Sequence, residues 1–102
     1  MRKQFIISVG AASTASQHQA FLQFLKGAEL NYWHWIRNLW LLVDEGERFT
    51  AATLRDKLKE CYPNVRIVVF EAGSDGVNTW AGFGPSGEKG DMFTWMKKNW
   101  KS

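Results

Sequence analysis

The sequence predicts a single α+β domain, and three observations point there. A chain of 102 residues holds one hydrophobic core. Its apolar residues alternate in some stretches and recur at helical spacing in others, in the order β-α-β-β-α-β. One Cys and two Pro in a chain 45% hydrophobic exclude an internal disulfide framework, a cysteine-cluster zinc site and a disordered tail.

Gln4 to Val9 alternates, with Phe5, Ile7 and Val9 on one face, and reads as the first strand. The basic start Met1-Arg2-Lys3, the apolar stretch after it and the small residues Ser13-Thr14-Ala15 also have the outline of a short secretory signal. Gln4 and Ser8 interrupt that outline, and the strand is preferred. Ser16 with Gln19 makes a capping box for a first helix, along which Ala20, Phe21, Phe24, Leu25 and Ala28 recur, with Gly27 suited to its C-terminal cap.

Tyr32 to Val43 is the most apolar region and reads as two strands joined at Arg37-Asn38. A two-residue turn places Trp35 opposite Trp40 and Trp33 opposite Leu42, with Tyr32, His34 and Ile36 facing Val43, Leu41 and Leu39 on the reverse side. An odd slip in register exchanges these partners. Either way both faces are apolar, so the sheet needs covering twice, and one layer of helices covers it once.

Thr50 is the N-cap of a second helix, with Phe49 and Leu54 as a hydrophobic staple and Ala51, Leu54, Leu58 and Cys61 along one stripe. Val65 to Phe70 is the fourth strand, rich in β-branched residues. Residues 72 to 90 hold six of the nine glycines and read as irregular, with a short strand around Trp80 to Phe83. Asp91 caps a C-terminal helix bearing Met92, Phe93, Met96 and Trp100 on one side. This order is the split βαβ of a ferredoxin-like sandwich followed by a C-terminal helix.

Charge says little about partners. All ten acids and ten of the thirteen bases lie in residues 1–91, so the net +3 resides in Lys97, Lys98 and Lys101. With Arg37 at the hairpin tip, these lysines are the candidate nucleic-acid contacts; the competing account docks the tail helix on the domain. The longest clean apolar run, Leu39 to Val43, is far below the roughly 20 residues of a spanning helix, and a cytoplasmic location is expected.

Familiar catalytic patterns are absent or out of context. Gly82-Phe83-Gly84-Pro85-Ser86-Gly87 fits G-x-G-x-x-G by letter, but the chain lacks the acid about 20 residues on, so a turn-rich loop is the better account. His18 and His34 are 16 apart with no metal-ligand spacing, and each reads as an ordinary hydrogen-bonded imidazole. Cys61, on an apolar helical stripe, reads as an inert thiol. Arg55, Lys57 and Lys59 alternate with Asp56 and Glu60 as a solvated face. The six tryptophans suit a core or a dimer interface, with Trp33, Trp35, Trp40 and Trp80 as the interface candidates; no aromatic RNA-binding signature occurs in the strands.

The motifs Phe5-Ile6-Ile7-Ser8-Val9, Tyr32-Trp33-His34-Trp35-Ile36-Arg37-Asn38-Leu39-Trp40-Leu41-Leu42, Thr50-Ala51-Ala52-Thr53-Leu54-Arg55-Asp56-Lys57-Leu58, Val68-Val69-Phe70-Glu71, Trp80-Ala81-Gly82 and Phe93-Thr94-Trp95-Met96-Lys97-Lys98 occur in that order. This arrangement resembles the SinR-like proteins, relatives of the small ferredoxin-like CRISPR-adaptation endonuclease subunit and, more remotely, of virulence-associated protein D. The resemblance implies a ferredoxin-like homodimer, with a divalent metal (Mg²⁺ or Mn²⁺) at the protomer interface in the nuclease members. Those members carry an Asp at the end of the first strand, where an anionic oxygen holds the metal. This chain has Gly10 there and no acid before Glu29. A non-catalytic homodimer without a cofactor, binding a protein or nucleic acid, is therefore expected. The alternative is a metal-dependent endoribonuclease or endonuclease using Glu71 and Asp75.

Overall fold

The computed structural model describes residues 3–72, apart from the side chain of Trp35. The strand around Trp80, the loop Gly82 to Gly87, the helix from Asp91, and the candidates Asp75, Trp80, Lys97, Lys98 and Lys101 lie outside the described residues. In chain order the elements are β1 (Lys3–Val9), α1 (Ala15–Gly27), β2 (Asn31–Ile36), β3 (Leu39–Asp44), α2 (Ala51–Cys61) and β4 (Ile67–Ala72). The strands form one antiparallel sheet ordered β2-β3-β1-β4, the ferredoxin-like arrangement, with both helices on one face.

Period 2 in β1 sends Phe5, Ile7 and Val9 toward the helices, where they meet Phe21 and Leu25 of α1, Leu54 and Leu58 of α2, and Trp40 and Leu42 of β3. Each such fully buried side chain contributes roughly 1.5–3 kcal/mol relative to exposure. α2 forms as expected. The Thr50 hydroxyl accepts from Thr53 N at 3.1 Å and the Thr53 hydroxyl from Thr50 N at 2.8 Å, and Phe49 and Leu54 share the core.

α1 begins earlier than its sequence suggests. Its capping box is Thr14 with Gln17, not Ser16 with Gln19: Gln17 N donates to Thr14 at 3.2 Å, and Thr14 N to the Gln17 side chain at 2.9 Å. The inward stripe is His18, Phe21 and Leu25, while Ala20 is exposed. An imidazole takes an inward position because polar partners wait for it there. Gly27 is the last helical residue rather than a cap, and the left-handed turn falls on Glu29 at φ 57°.

β4 also starts two residues later than expected. Asn64 adopts φ 65°, and Val65 N donates to Tyr62 O at 3.2 Å, so Val65 closes the turn after α2 instead of entering the sheet.

The hairpin keeps its two-residue turn at Arg37-Asn38, with Ile36 opposite Leu39, but the register then slips by one. Trp33 faces Leu41 rather than Leu42, and Tyr32 faces Leu42, because His34 and Trp35 together oppose Trp40 as a β-bulge. Neither turn residue has positive φ. Such a turn does not match the right-handed twist of the strands as a primed turn would, and the bulge supplies the missing twist.

The slip decides what each face carries. Trp40 points into the helix-covered core at 0% exposure, and Trp33 on the other face is 4% exposed; Leu41 and Val43 beside it are buried too. The expectation that this ribbon stays bare without a second copy is thereby corrected. Trp33 and Trp40 offer no surface to a partner. Among the described residues, the exposed large apolar ones are instead Ile36 (50%), Val68 (43%) and Phe70 (57%).

Candidate functional site

The resemblance to nucleases directs attention to the end of β1. Gly10 N donates to Arg66 O at 2.7 Å, and a Cβ at Gly10 would sit 3.3 Å from that same carbonyl. The close approach of Gly10 to the Arg66 backbone therefore leaves little room for a side chain such as Asp at this point. Glu71 lies away from this point. It lies opposite Phe5, at the start of β1, roughly 16 Å along the strand from Gly10 at about 3.3 Å per residue. Glu71 is exposed, and among the described residues no three His, Cys, Asp or Glu side chains converge as a metal site would require.

What the chain does build near Gly10 is a hydrogen-bonded corner that joins four segments. Tyr62, at the end of α2, and Trp40 of β3 are almost fully buried. The indole of Trp40 donates to Tyr62 Oη at 3.3 Å, and Tyr62 Oη lies 2.7 Å from His18 Nδ1. On its other side His18 Nε2 is 3.3 Å from Ser13 Oγ, which donates to Asn38 Oδ1 at 3.2 Å. Because an indole N–H only donates, one proton arrangement satisfies every member: Trp40 to Tyr62, Tyr62 to His18 Nδ1, His18 Nε2–H to Ser13, and Ser13 to Asn38. It requires a neutral His18.

The electrostatics agree with that requirement. Burial foremost, then the His34 and Arg37 charges nearby, hold His18 below its ordinary 6.5. Burial also pushes the Tyr62 hydroxyl up to about 12, an effect the Trp40 hydrogen bond opposes. His34 closes the outer side. Its ring stacks on Trp40 at 3.5 Å and 7°, and its Nε2 donates to Arg37 O at 2.8 Å. Burial lowers its pKa as well, against the raising effect of the Arg37 carbonyl.

Ser13 beside His18 has the outline of a nucleophile and base, but Ser13 is 4% exposed and its hydroxyl is committed to Asn38. No substrate carbonyl can reach it. The corner is a clasp: it ties the loop after β1, α1, the β2–β3 turn and the end of α2. Arg37, the candidate nucleic-acid contact at the hairpin tip, takes part in it, donating from Nη2 to Ser13 O at 3.2 Å while its side chain stays exposed. Both histidines prove to be hydrogen-bonded imidazoles. Sequence reasoning missed their meeting at Trp40, and only the inward spacing of His18, three and seven residues before Phe21 and Leu25, hinted at it. Cys61 is half-buried, and burial pushes its thiol up, away from nucleophilic reactivity.

The other face of the sheet carries the surface features. The register aligns Ile36, Leu39, Ser8 and Val68 in one row across all four strands, and Trp33, Leu41, Ile6 and Phe70 in the next. The first row and Phe70 leave an uncovered apolar strip, while the Trp33–Leu41 end of the second row is buried. The two central strands present Ile6, Ser8, Leu39 and Leu41 there, none of them aromatic, so among the described residues they form no base-stacking platform. No described helix is long and apolar enough to cross a membrane.

The fold and these two sites define a ferredoxin-like α+β domain with a closed polar corner and a partly bare sheet face. Comparison with protein-family models, curated proteins and solved structures finds nothing that matches the chain.

Proposed function

We propose that this is a non-catalytic ferredoxin-like binding protein of the SinR-like group, working in the cytoplasm as a homodimer that engages a protein or nucleic-acid partner. The observation that carries this reading is the exposed apolar pair Val68 and Phe70 on the edge strand β4, 43% and 57% exposed on one face of a well-packed sheet, with Ile36 exposed separately on the opposite edge strand. A monomer gains nothing from leaving Phe70 and Val68 side by side in water, whereas association at that edge shields them. The separation of Glu71 from Gly10, at opposite ends of β1, supports binding over metal-dependent cleavage.

Sedimentation velocity at micromolar concentration is expected to give a dimer, and a clean monomer overturns the homodimer. Incubation of the purified chain with RNA and DNA in Mg²⁺ or Mn²⁺ is expected to leave both intact. Cleavage that disappears in Glu71→Ala overturns the non-catalytic part and makes the chain a metal-dependent nuclease.

A further inference from the structure

The geometry points to the outer edge of β4 as the place where two copies join, in an antiparallel β4–β4 pairing about a twofold axis at Val69. This rests on the homodimer reading above and names its surface.

The sheet ends at β4 among the described residues, and which of its backbone groups face outward follows from two bonds. Gly10 N donates to Arg66 O, while Val9 N donates the other way, to Asn38 O of the β2–β3 turn. Antiparallel ladders alternate, so with Val9 opposite Ile67, residues Val68, Phe70 and Ala72 spend their N–H and C=O on β1. Ile67, Val69 and Glu71 therefore direct theirs away from the sheet.

Such an edge is normally blunted by Pro, Lys, Gly or a bulge. β4 reads Ile-Val-Val-Phe-Glu-Ala, with Glu71 near its end as its one charged side chain and no Pro or bulge, and keeps a continuous register with β1. The opposite edge strand, β2, carries the bulge between Trp33 and Ile36. An edge strand this rich in β-branched residues persists in a folded chain when something covers it.

The strand is complementary to itself. Centred on Val69, the pairing sets Val69 against the partner's Val69 and Ile67 against the partner's Glu71, and these are the residues with outward backbone groups, so each pair exchanges both hydrogen bonds. Val68 meets the partner's Phe70, an aromatic on a β-branched side chain, which is among the favourable cross-strand pairs and shields the facing sides of the two exposed residues from water. On the helix side, the partner's Glu71 arrives opposite Ile67, beside a groove of about 410 Å³ that Ile67 and Val69 share with Ala51, Ala52 and Arg55 of α2. The exposed guanidinium of Arg55 lies there, held by Asp56 Oδ1 at 3.0 Å, so the incoming carboxylate would share it with Asp56. Moving the axis to Glu71 instead would set two carboxylates face to face. A register centred on Val69 uses every outward residue of β4 and joins the two four-stranded halves into one continuous sheet.

The test uses the full chain. Val69→Pro removes an N–H that faces outward, so the β1–β4 ladder survives while the added strand is blocked. By sedimentation equilibrium the substitution is expected to weaken the dimer about 100-fold or more with the far-UV spectrum unchanged. Independently, Val69→Cys in a Cys61→Ser background is expected to form a disulfide-linked dimer on mild oxidation, since directly paired residues have Cα atoms about 5.5 Å apart. Phe70→Cys in that background is expected to link poorly, lying diagonal to its own copy. A Val69→Pro chain that folds and still dimerises like the parent overturns the edge pairing and leaves the homodimer standing. If Val69→Pro unfolds, the cross-link decides, and efficient linkage in the Phe70→Cys variant but not in the Val69→Cys variant overturns the register. A parent chain that sediments as a monomer overturns both readings and hands the edge to a foreign strand or to another part of this chain.

Discussion

The two faces of the sheet are made from the same strands by simple alternation, yet they have opposite characters. On the helix side, Phe5, Ile7, Trp40 and Leu42 are all fully buried, and the polar atoms at one end of that layer are matched into the Trp40–Tyr62–His18–Ser13 chain, while at the other end the buried Asp44 Oδ1 has only the Arg48 charge at 3.7 Å. On the other side, burial is confined to the Trp33–Leu41–Val43 end, and Val68 and Phe70 lie open on an unblunted edge. The contrast teaches that apolar content alone does not tell core from contact surface. What separates them is whether the polar groups of the layer have been satisfied from within, since a face closed for stability leaves no donor idle. The Trp40–Tyr62–His18–Ser13 corner is finished, whereas the β4 edge has three residues whose backbone groups still lack partners among the described residues.

That contrast is breakable by experiment. The largest expected effect is Trp40→Ala, which empties the centre of the clasp side and removes the surface on which His34 stacks; a loss of about 3–5 kcal/mol in urea unfolding is expected. A loss under about 1 kcal/mol would mean that the core lies elsewhere. Tyr62→Phe comes next. It deletes one oxygen but leaves the Trp40 indole N–H and His18 Nδ1 buried without their partner, at a cost of about 1–3 kcal/mol. An unchanged midpoint would show that the clasp contributes no stability.

A pH scan then tests the protonation of the clasp. His18 and His34 both have pKa values lowered by folding, so below pH 6.5 the unfolded chain binds more protons than the folded one. Stability is complete above that point and declines as the pH falls through 6.5 toward the lowered folded values. In His18→Gln the decline should be shallower. An equal slope in parent and variant would remove His18 from the account. The smallest effect is expected on the open face. Phe70→Ser, measured at a dilution where the chain is monomeric, should shift unfolding by no more than about 0.5 kcal/mol. A shift as large as that of Tyr62→Phe would mean that Phe70 packs within its own chain and that the two faces are alike.

Much of the architecture is legible without coordinates, and the reason is local. Alternation in Gln4 to Val9, the Thr50 cap with its staple, and the turn at Arg37-Asn38 are each read within one short window, and each element forms where its own residues favour it. The shortfalls have a common cause. Thr14 and Ser16 both offer a hydroxyl followed by a Gln three residues later, and the choice went to Thr14 because His18 has to reach Tyr62, which is 44 residues away in sequence. Val65 looked like strand but was claimed by the turn at Asn64. Glu71, near the end of a strand, looked like a stand-in for a metal ligand until antiparallel pairing put it at the far end from Gly10.

The amino acids in order were enough to set the number, kind and succession of the elements, because hydrophobic period and capping chemistry act between near neighbours. Folding in three dimensions decided the rest. The β1–β3 register turned Trp40 inward, a one-residue bulge in β2 put Trp33 on the other face, two histidines 16 positions apart came within 5.5 Å, and the β1–β4 register left Val68 and Phe70 facing water. Those outcomes depend on which strand lies beside which and in what register. That is a property of pairs of distant segments, and no single segment carries it.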